Sequence, residues 1–279
     1  MRTALVLALL AVSGLPISRA DASVWQYAAR PGAELELQLP AGAGPFPVFI
    51  AVHGGGWEAG SRRDALPFCR IVLEAGFACA AVDYRLAPGA RFPAAVDDIR
   101  AAVAFLRSRS GQFKISPDQV ILAGESAGGH LAAVAAIRSG GEQGIAGVMV
   151  FSGPFDLVEM SAPSRVLNVV PDQVSQLLDI HRWNADTVGA MKAASPTFLL
   201  TARAPPFLVI RGAEDRAVSA GQARSFCEKA EALGVACTIT TIPNARHDLW
   251  SETEMDRFGT LWSGAVMNWA RGILKVRAP

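Results

Sequence analysis

The chain has almost no excess of charge of either sign: 26 Lys+Arg stand against 25 Asp+Glu, a formal net charge of +1. The basic surplus of an ordinary nucleic-acid-binding domain is therefore missing. No run of like charges exists to form a polybasic membrane patch or an acidic tail. Charged residues make up only 18% of the chain and hydrophobic ones 51%, which excludes an intrinsically disordered polypeptide. No unit of about 20–50 residues repeats, so a solenoid or propeller is excluded as well. Past the N-terminus no segment is long and apolar enough to span a membrane, so stable membrane insertion is not expected. What remains, over 279 residues, suits one large α/β domain. A domain of that size buries roughly 70–75% of its unfolded surface.

The first residues form a separate unit. Met1-Arg2-Thr3 carries one positive charge, and the apolar run from Ala4 to Leu10 continues to Val12. Small residues follow, and both Ser18-Arg19-Ala20 and Ala20-Asp21-Ala22 suit signal peptidase. Residues 1–22 thus read as a secretory signal, cleaved near Ala20 or Ala22 to leave an exported chain, periplasmic or secreted. The run is shorter than the roughly 18 residues that favour a spanning helix. An uncleaved anchor and a buried terminal helix are the competing readings. No cysteine lies near the cleavage site, so a lipoprotein anchor is not supported.

Export gives weight to the four cysteines, Cys69, Cys79, Cys227 and Cys237. An oxidising compartment permits disulfides, and three pairings are possible. Each neighbouring pair joins an expected helix to the strand after it. Such layers pack about 10 Å apart, whereas a disulfide needs Cα atoms within about 7 Å. The spacing therefore favours buried free thiols.

Short runs rich in Val, Ile and Ala alternate with amphipathic segments. Residues 46–52, 77–83, 119–123, 145–151, 207–211 and 235–242 read as strands. Residues 61–75, 94–107, 127–138, 219–233 and 257–274 read as helices, the first becoming regular only near Asp64 because Pro67 lies inside it. This alternation predicts a mostly parallel sheet with helices on both faces. Residues 24–39 supply one or two antiparallel edge strands, since residues 34–39 alternate at period two. Residues 152–204 break the pattern. They read as an insertion with short helices over 171–181 and 185–193, a lid or pocket wall over the strand ends.

Gly124-Glu125-Ser126-Ala127-Gly128 ends a strand and opens a helix. The motif alone is weak, but this placement forces its central serine into strained dihedrals and presents it above the sheet. His53-Gly54-Gly55-Gly56-Trp57 ends the first buried strand. Its glycines allow close approach to an acyl carbonyl, and their N–H groups, with that of Ala127, can hold a developing oxyanion. A serine hydroxyl needs a base. Of the four histidines, His53 and His130 fall where structural roles are expected, and His181 lies in the insertion. His247 follows the last strand, on a loop able to overhang the sheet edge. The base in turn needs a carboxylate, and Glu214 and Asp215 both follow the strand ending at Arg211.

These residues run in the order serine, acid, histidine, the order of the α/β-hydrolase fold. The chain resembles α/β-hydrolase esterases of the hormone-sensitive-lipase and feruloyl-esterase-like (BD-FAE) groups from about Phe46 to Ala270. The resemblance rests on the two glycine motifs, extended through Gly129-His130-Leu131-Ala132. Asp83-Tyr84-Arg85-Leu86-Ala87-Pro88, Phe92-Pro93-Ala94-Ala95-Val96-Asp97-Asp98 and Pro205-Pro206-Phe207 complete it. It implies Ser126 as nucleophile, Asp215 as acid, His247 as base, and Gly54, Gly55 and Ala127 as oxyanion donors, with no cofactor or metal. It also implies that Arg85 and Asp97 or Asp98 brace the loop beneath the site. Only about 30 residues of the expected mature chain precede His53, too few for the helical cap of the lipase group. A more open site follows, closer to the feruloyl-esterase-like members, with its shape set by the insertion and by Trp57, Phe155 and Trp183. The activity implied is hydrolysis of a small ester, with no nucleic-acid partner and oligomeric state left open. Competing readings are an arylformamidase-type amide hydrolase, a peptidase, and a non-catalytic binding module.

Overall fold

The structure, a computed structural model, describes residues 22–275 apart from residue 143. All of the expected secretory signal except Ala22 lies outside these residues. The described strands are β1 (Ala22–Gln26), β2 (Glu34–Gln38), β3 (Phe46–Val52), β4 (Ala78–Val82), β5 (Ile115–Glu125), β6 (Ile145–Phe151), β7 (Phe207–Gly212) and β8 (Cys237–Ile242). They form one sheet in the order β1-β2-β4-β3-β5-β6-β7-β8. β1 and β2 pair antiparallel with each other, and β2 antiparallel with β4. The six strands from β3 onward are parallel.

The parallel strands read as unbroken apolar runs because both faces are covered. Along β3, Val48, Ile50 and Val52 enter one core cluster while Phe49 and Ala51 enter the other. The first cluster is closed by α2 (Ala94–Ser108), α4 (Ala127–Ser139) and α9 (Ala220–Ala232), with short α3 (Ser110–Phe113) at its margin. The second is closed by α1 (Leu66–Glu74) and α10 (Glu252–Leu274). A 3₁₀ turn over Arg62–Ala65 precedes α1, so regular helix begins where Pro67 can occupy the first turn. No helix among the described residues is long and apolar enough to cross a membrane.

The insertion carries α5 (Leu157–Ser161), a 3₁₀ segment (Ala162–Leu167), α6 (Asp172–Leu178), α7 (Ala185–Ala194) and α8 (Pro196–Leu199). Leu157, Val174, Leu177, Met191 and Ala194 are buried in the same cluster as α4 and α9. Gln222 of α9 fastens its start, accepting the N–H groups of Phe155 and Asp156 at 2.8 and 2.7 Å.

The expectation of free thiols is overturned: Cys69 is bonded to Cys79, and Cys227 to Cys237. Layer spacing is measured to the helix axis, but Cα atoms on the facing side of a helix lie about 2.3 Å nearer the sheet. Cys69 and Cys79 face each other within one core cluster, and the Cα separations are 5.4 and 5.2 Å. Each bridge closes a short loop, with a sequence separation of 10. Replacing Cys69 and Cys79 together by alanine should cost roughly 2.5–3 kcal/mol on chain-entropy grounds. Thermal unfolding should then show a midpoint lower by about 5–10 °C, and an unchanged midpoint would contradict this account.

Candidate active site

β3, β5, β7 and the loop after β8 deliver their ends to one edge of the sheet. At the end of β5 the chain reverses into α4 with Ser126 at φ 51° and ψ −121°. That conformation strains a residue with a Cβ and persists only where the surroundings enforce it. Here the enforcement is close packing: a Cβ on Gly128 would lie 2.1 Å from the Val52 carbonyl oxygen and 2.3 Å from that of His53. The Ser126 N–H is in turn held by the Phe151 carbonyl at 2.8 Å.

The loop after β8 brings His247 over this serine, with Nε2 2.8 Å from Ser126 Oγ. Nδ1 lies 2.9 and 3.1 Å from the two carboxylate oxygens of Asp215. A carboxylate only accepts, so Nδ1 carries the hydrogen and Nε2 offers its lone pair to the serine. The Asp215 side chain is 1% exposed, and its Oδ1 also accepts the N–H groups of Ala217 and Val218. Burial opposes its charge. The His247 hydrogen bond and these two N–H groups nonetheless hold its carboxyl below the ordinary range. Burial likewise opposes charge on His247, but Asp215 outweighs it and raises the imidazole above its usual 6.5. Glu214 points to solvent, while its N–H meets the Ala245 carbonyl at 2.9 Å and ties the Asp215 loop to the His247 loop.

The glycine loop lies against the serine: a Cβ on Gly54 would be 3.4 Å from Ser126 Cβ. Gly55 has φ 108°, and its carbonyl receives the N–H groups of Glu58 and Ala59. The buried Trp57 closes the loop, donating Nε1–H to His130 Nδ1 at 3.1 Å, while its carbonyl accepts the Ala87 N–H. His130 is fully buried, its Nε2–H donates to Ala194, and burial lowers its pKa to about 4. His181 is exposed and bonded to Ser175, away from the serine. Asp98, not Asp97, braces the neighbouring loop, accepting the Arg85 N–H, Nε and NH2 groups and Arg30. The Asp97 carboxylate instead approaches Arg100, at 4.0 Å.

Two parts of the site lie beyond the sequence reading. Glu125, beside Ser126, turns its carboxyl toward the His247 loop and accepts the Trp250 N–H at 2.6 Å. Burial raises it to about 8, against that hydrogen bond. The cavity over Ser126, of about 300 Å³, receives Pro154, Met160 and Gln173 from the insertion and Trp57 from the glycine loop. Phe155 and Trp183 do not line it. Phe155 is stacked on Phe226 in the core, and Trp183 donates to the Val169 carbonyl. The acidic character of Glu125 was visible in the motif, but only the fold shows what it faces. Among the described residues no group of three or more His, Cys, Asp or Glu side chains could hold a metal ion.

Sheet order, elbow and overhanging histidine define the α/β-hydrolase fold. Solved structures share it. A truncated carbohydrate esterase from gut microbiota superposes with a TM-score of 0.74 at 22% identity, covering 90% of this chain and 99% of that one. The esterase Est2 of Thermogutta terrifontis superposes with a TM-score of 0.71 at 21% identity, covering 95% of each chain. Residues 35–230 match the BD-FAE family, and the chain belongs to it. Among curated proteins it is 30% identical to esterase LipQ of Mycobacterium tuberculosis over 210 residues, 72% of this chain and 50% of LipQ. It is 33% identical to esterase LipC of the same organism over 202 residues, 68% of this chain and 49% of LipC. The chain thus spans about half the length of these relatives.

The Asp215 contact has a direct test. The His247 imidazole, followed by NMR through a pH titration, should have its midpoint above 6.5. Asp215→Asn removes the charge that stabilises the imidazolium and should move the midpoint down. A midpoint unmoved by that substitution would contradict the described geometry.

Proposed function

We propose that the protein is a serine carboxylesterase acting on small, short-chain esters. The observation that carries this reading is the hydrogen-bonded chain from Asp215 through His247 to Ser126, at 2.9 and 2.8 Å, within a member of the BD-FAE family. Ser126 Oγ attacks the ester carbonyl carbon as His247 Nε2 takes its proton. The carbonyl oxygen becomes an oxyanion held by the N–H groups of Gly54, Gly55 and Ala127. Collapse breaks the bond to the alcohol, which leaves with the proton from His247. Water, deprotonated by His247, then attacks the acyl-enzyme; the acyl–Oγ bond breaks, the acid leaves, and His247 returns the proton to Ser126. Asp215 holds the productive tautomer and stabilises the imidazolium throughout.

Chain length follows from the cavity. About 300 Å³ is the low end of small-molecule sites. Each methylene contributes about 0.8 kcal/mol only where it is buried. A long acyl chain would leave this space for water and gain nothing.

Export of the chain is part of the proposal. Two disulfides, stable in an oxidising compartment, support it, as does the apolar N-terminal run. Cleavage after Ala20 would keep β1 whole, since that strand begins at Ala22.

A fluorophosphonate should label Ser126, and Ser126→Ala should abolish labelling and lower ester hydrolysis at least about 10³-fold in a folded protein. Near-normal turnover in that variant would overturn the reading. Asp215→Asn should lower kcat about 10²–10⁴-fold and Glu214→Gln less than about tenfold; the opposite ranking would reassign the acid. Across acetate, butyrate, octanoate and palmitate esters, kcat/KM should peak at about two to four acyl carbons. A maximum at octanoate or beyond would instead reveal a deep acyl pocket.

A further inference from the structure

Tyr84 lies just past β4, outside the residues that meet the substrate, and is 4% exposed. Its hydroxyl stands 3.0 Å from the His53 carbonyl oxygen and 3.3 Å from the Gly54 carbonyl oxygen. In an extended strand successive carbonyls point to opposite sides. Here two in succession converge on one hydroxyl. A trans peptide sets each N–H antiparallel to the carbonyl of the same unit. The N–H groups of Gly54 and Gly55 then point away from the Tyr84 hydroxyl. Gly54, Gly55 and Gly56 line the cavity over Ser126, so the loop that these carbonyls anchor forms a wall of that cavity.

The Gly54 carbonyl has a second donor. His53 Nδ1 lies 2.7 Å from it, so this nitrogen carries the hydrogen. Burial lowers the pKa of His53, which keeps the ring neutral. The two rings stack, with centroids 4.2 Å apart and planes 13° apart. Burial also raises the Tyr84 phenol, so the hydroxyl keeps its proton.

We propose that Tyr84 is a positioning residue for ester hydrolysis: its hydroxyl, with the His53 ring beside it, fixes the two peptide planes that present the Gly54 and Gly55 N–H groups. The inference rests on the esterase reading above and adds a residue that never touches substrate. Ground-state binding places little charge on the carbonyl oxygen, whereas the tetrahedral intermediate places a full one there. Loosened peptide planes should therefore slow turnover and leave substrate binding nearly intact.

Tyr84→Phe keeps the ring and its stacking and deletes only the hydroxyl. With a p-nitrophenyl ester, kcat should fall roughly 10- to 100-fold with KM within about threefold, since loss of a direct donor costs about 10²–10³. The rate of fluorophosphonate labelling, whose phosphoryl oxygen takes the same place, should fall in parallel. Wild-type kcat accompanied only by a lower unfolding temperature would make Tyr84 merely structural and overturn the inference. A loss carried wholly by KM would overturn it too. If Tyr84→Phe does not fold, His53→Ala removes the other donor and should give the same kcat-selective loss. His53→Asn, whose amide nitrogen stands where Nδ1 stood, should recover most of it; failure to do so counts against the clamp. Wild type and Ser126→Ala measured alongside separate the two levels. No difference between them sinks the esterase reading itself, whereas an active wild type matched by Tyr84→Phe sinks only the clamp.

Discussion

Ser126 adopts a backbone conformation that a residue with a side chain does not choose, and the protein is organised around enforcing it. The constraint is spatial. β5 is paired on both sides, to β3 and β6, so its end cannot drift. α4 starts at once and packs against the end of β3 so closely that only glycine fits at Gly128. The strain is local, while the hydrogen bonds and packing that oppose it extend across the central strands. A loop could not hold this geometry, because its backbone would relax.

The other groups arrive from separate strand ends, and short-range ties hold their spacing. Glu214 joins the Asp215 loop to the His247 loop through the Ala245 carbonyl. Glu125 joins the elbow to the His247 loop through the Trp250 N–H. Trp57 joins the glycine loop to α4 through His130. Asp98 gathers Arg30 and Arg85 beneath the loop that carries Tyr84. The first two of these ties involve backbone groups, whose positions vary less than side-chain rotamers. The insertion, by contrast, supplies Pro154, Met160 and Gln173 to the cavity, while Ser126, Asp215 and His247 all lie outside the insertion.

Much of this was legible in the sequence because it is written in local patterns. Unbroken apolar runs marked the strands buried on both faces, and period-two alternation over residues 34–39 marked β2. The elbow and the glycine loop were readable because each needs particular residues at fixed offsets. What was illegible depends on which distant groups meet. α5, α8 and the 3₁₀ turns are too short to develop a periodicity. Phe155 and Trp183 looked available to a pocket until Phe226 and the Val169 carbonyl were seen to occupy them. Glu125 and Tyr84 stood inside recognised motifs, yet their partners lie 125 and about 30 positions away. A mean layer spacing says little about two side chains aimed at each other, so the disulfides are not legible in it.

The pairing of those cysteines bears on how the chain acquires its covalent form. Cys69 joins Cys79 and Cys227 joins Cys237, so each cysteine takes the next one along the polypeptide. A chain oxidised progressively from its N-terminus would complete the first bridge long before the second pair came within reach. Nearest-neighbour closure is also the entropically cheapest. Native connectivity is then the default outcome of sequential oxidation, and no crossed bond has to be broken and remade. A nested or interleaved pattern of the same four residues would instead have tied maturation to thiol–disulfide exchange.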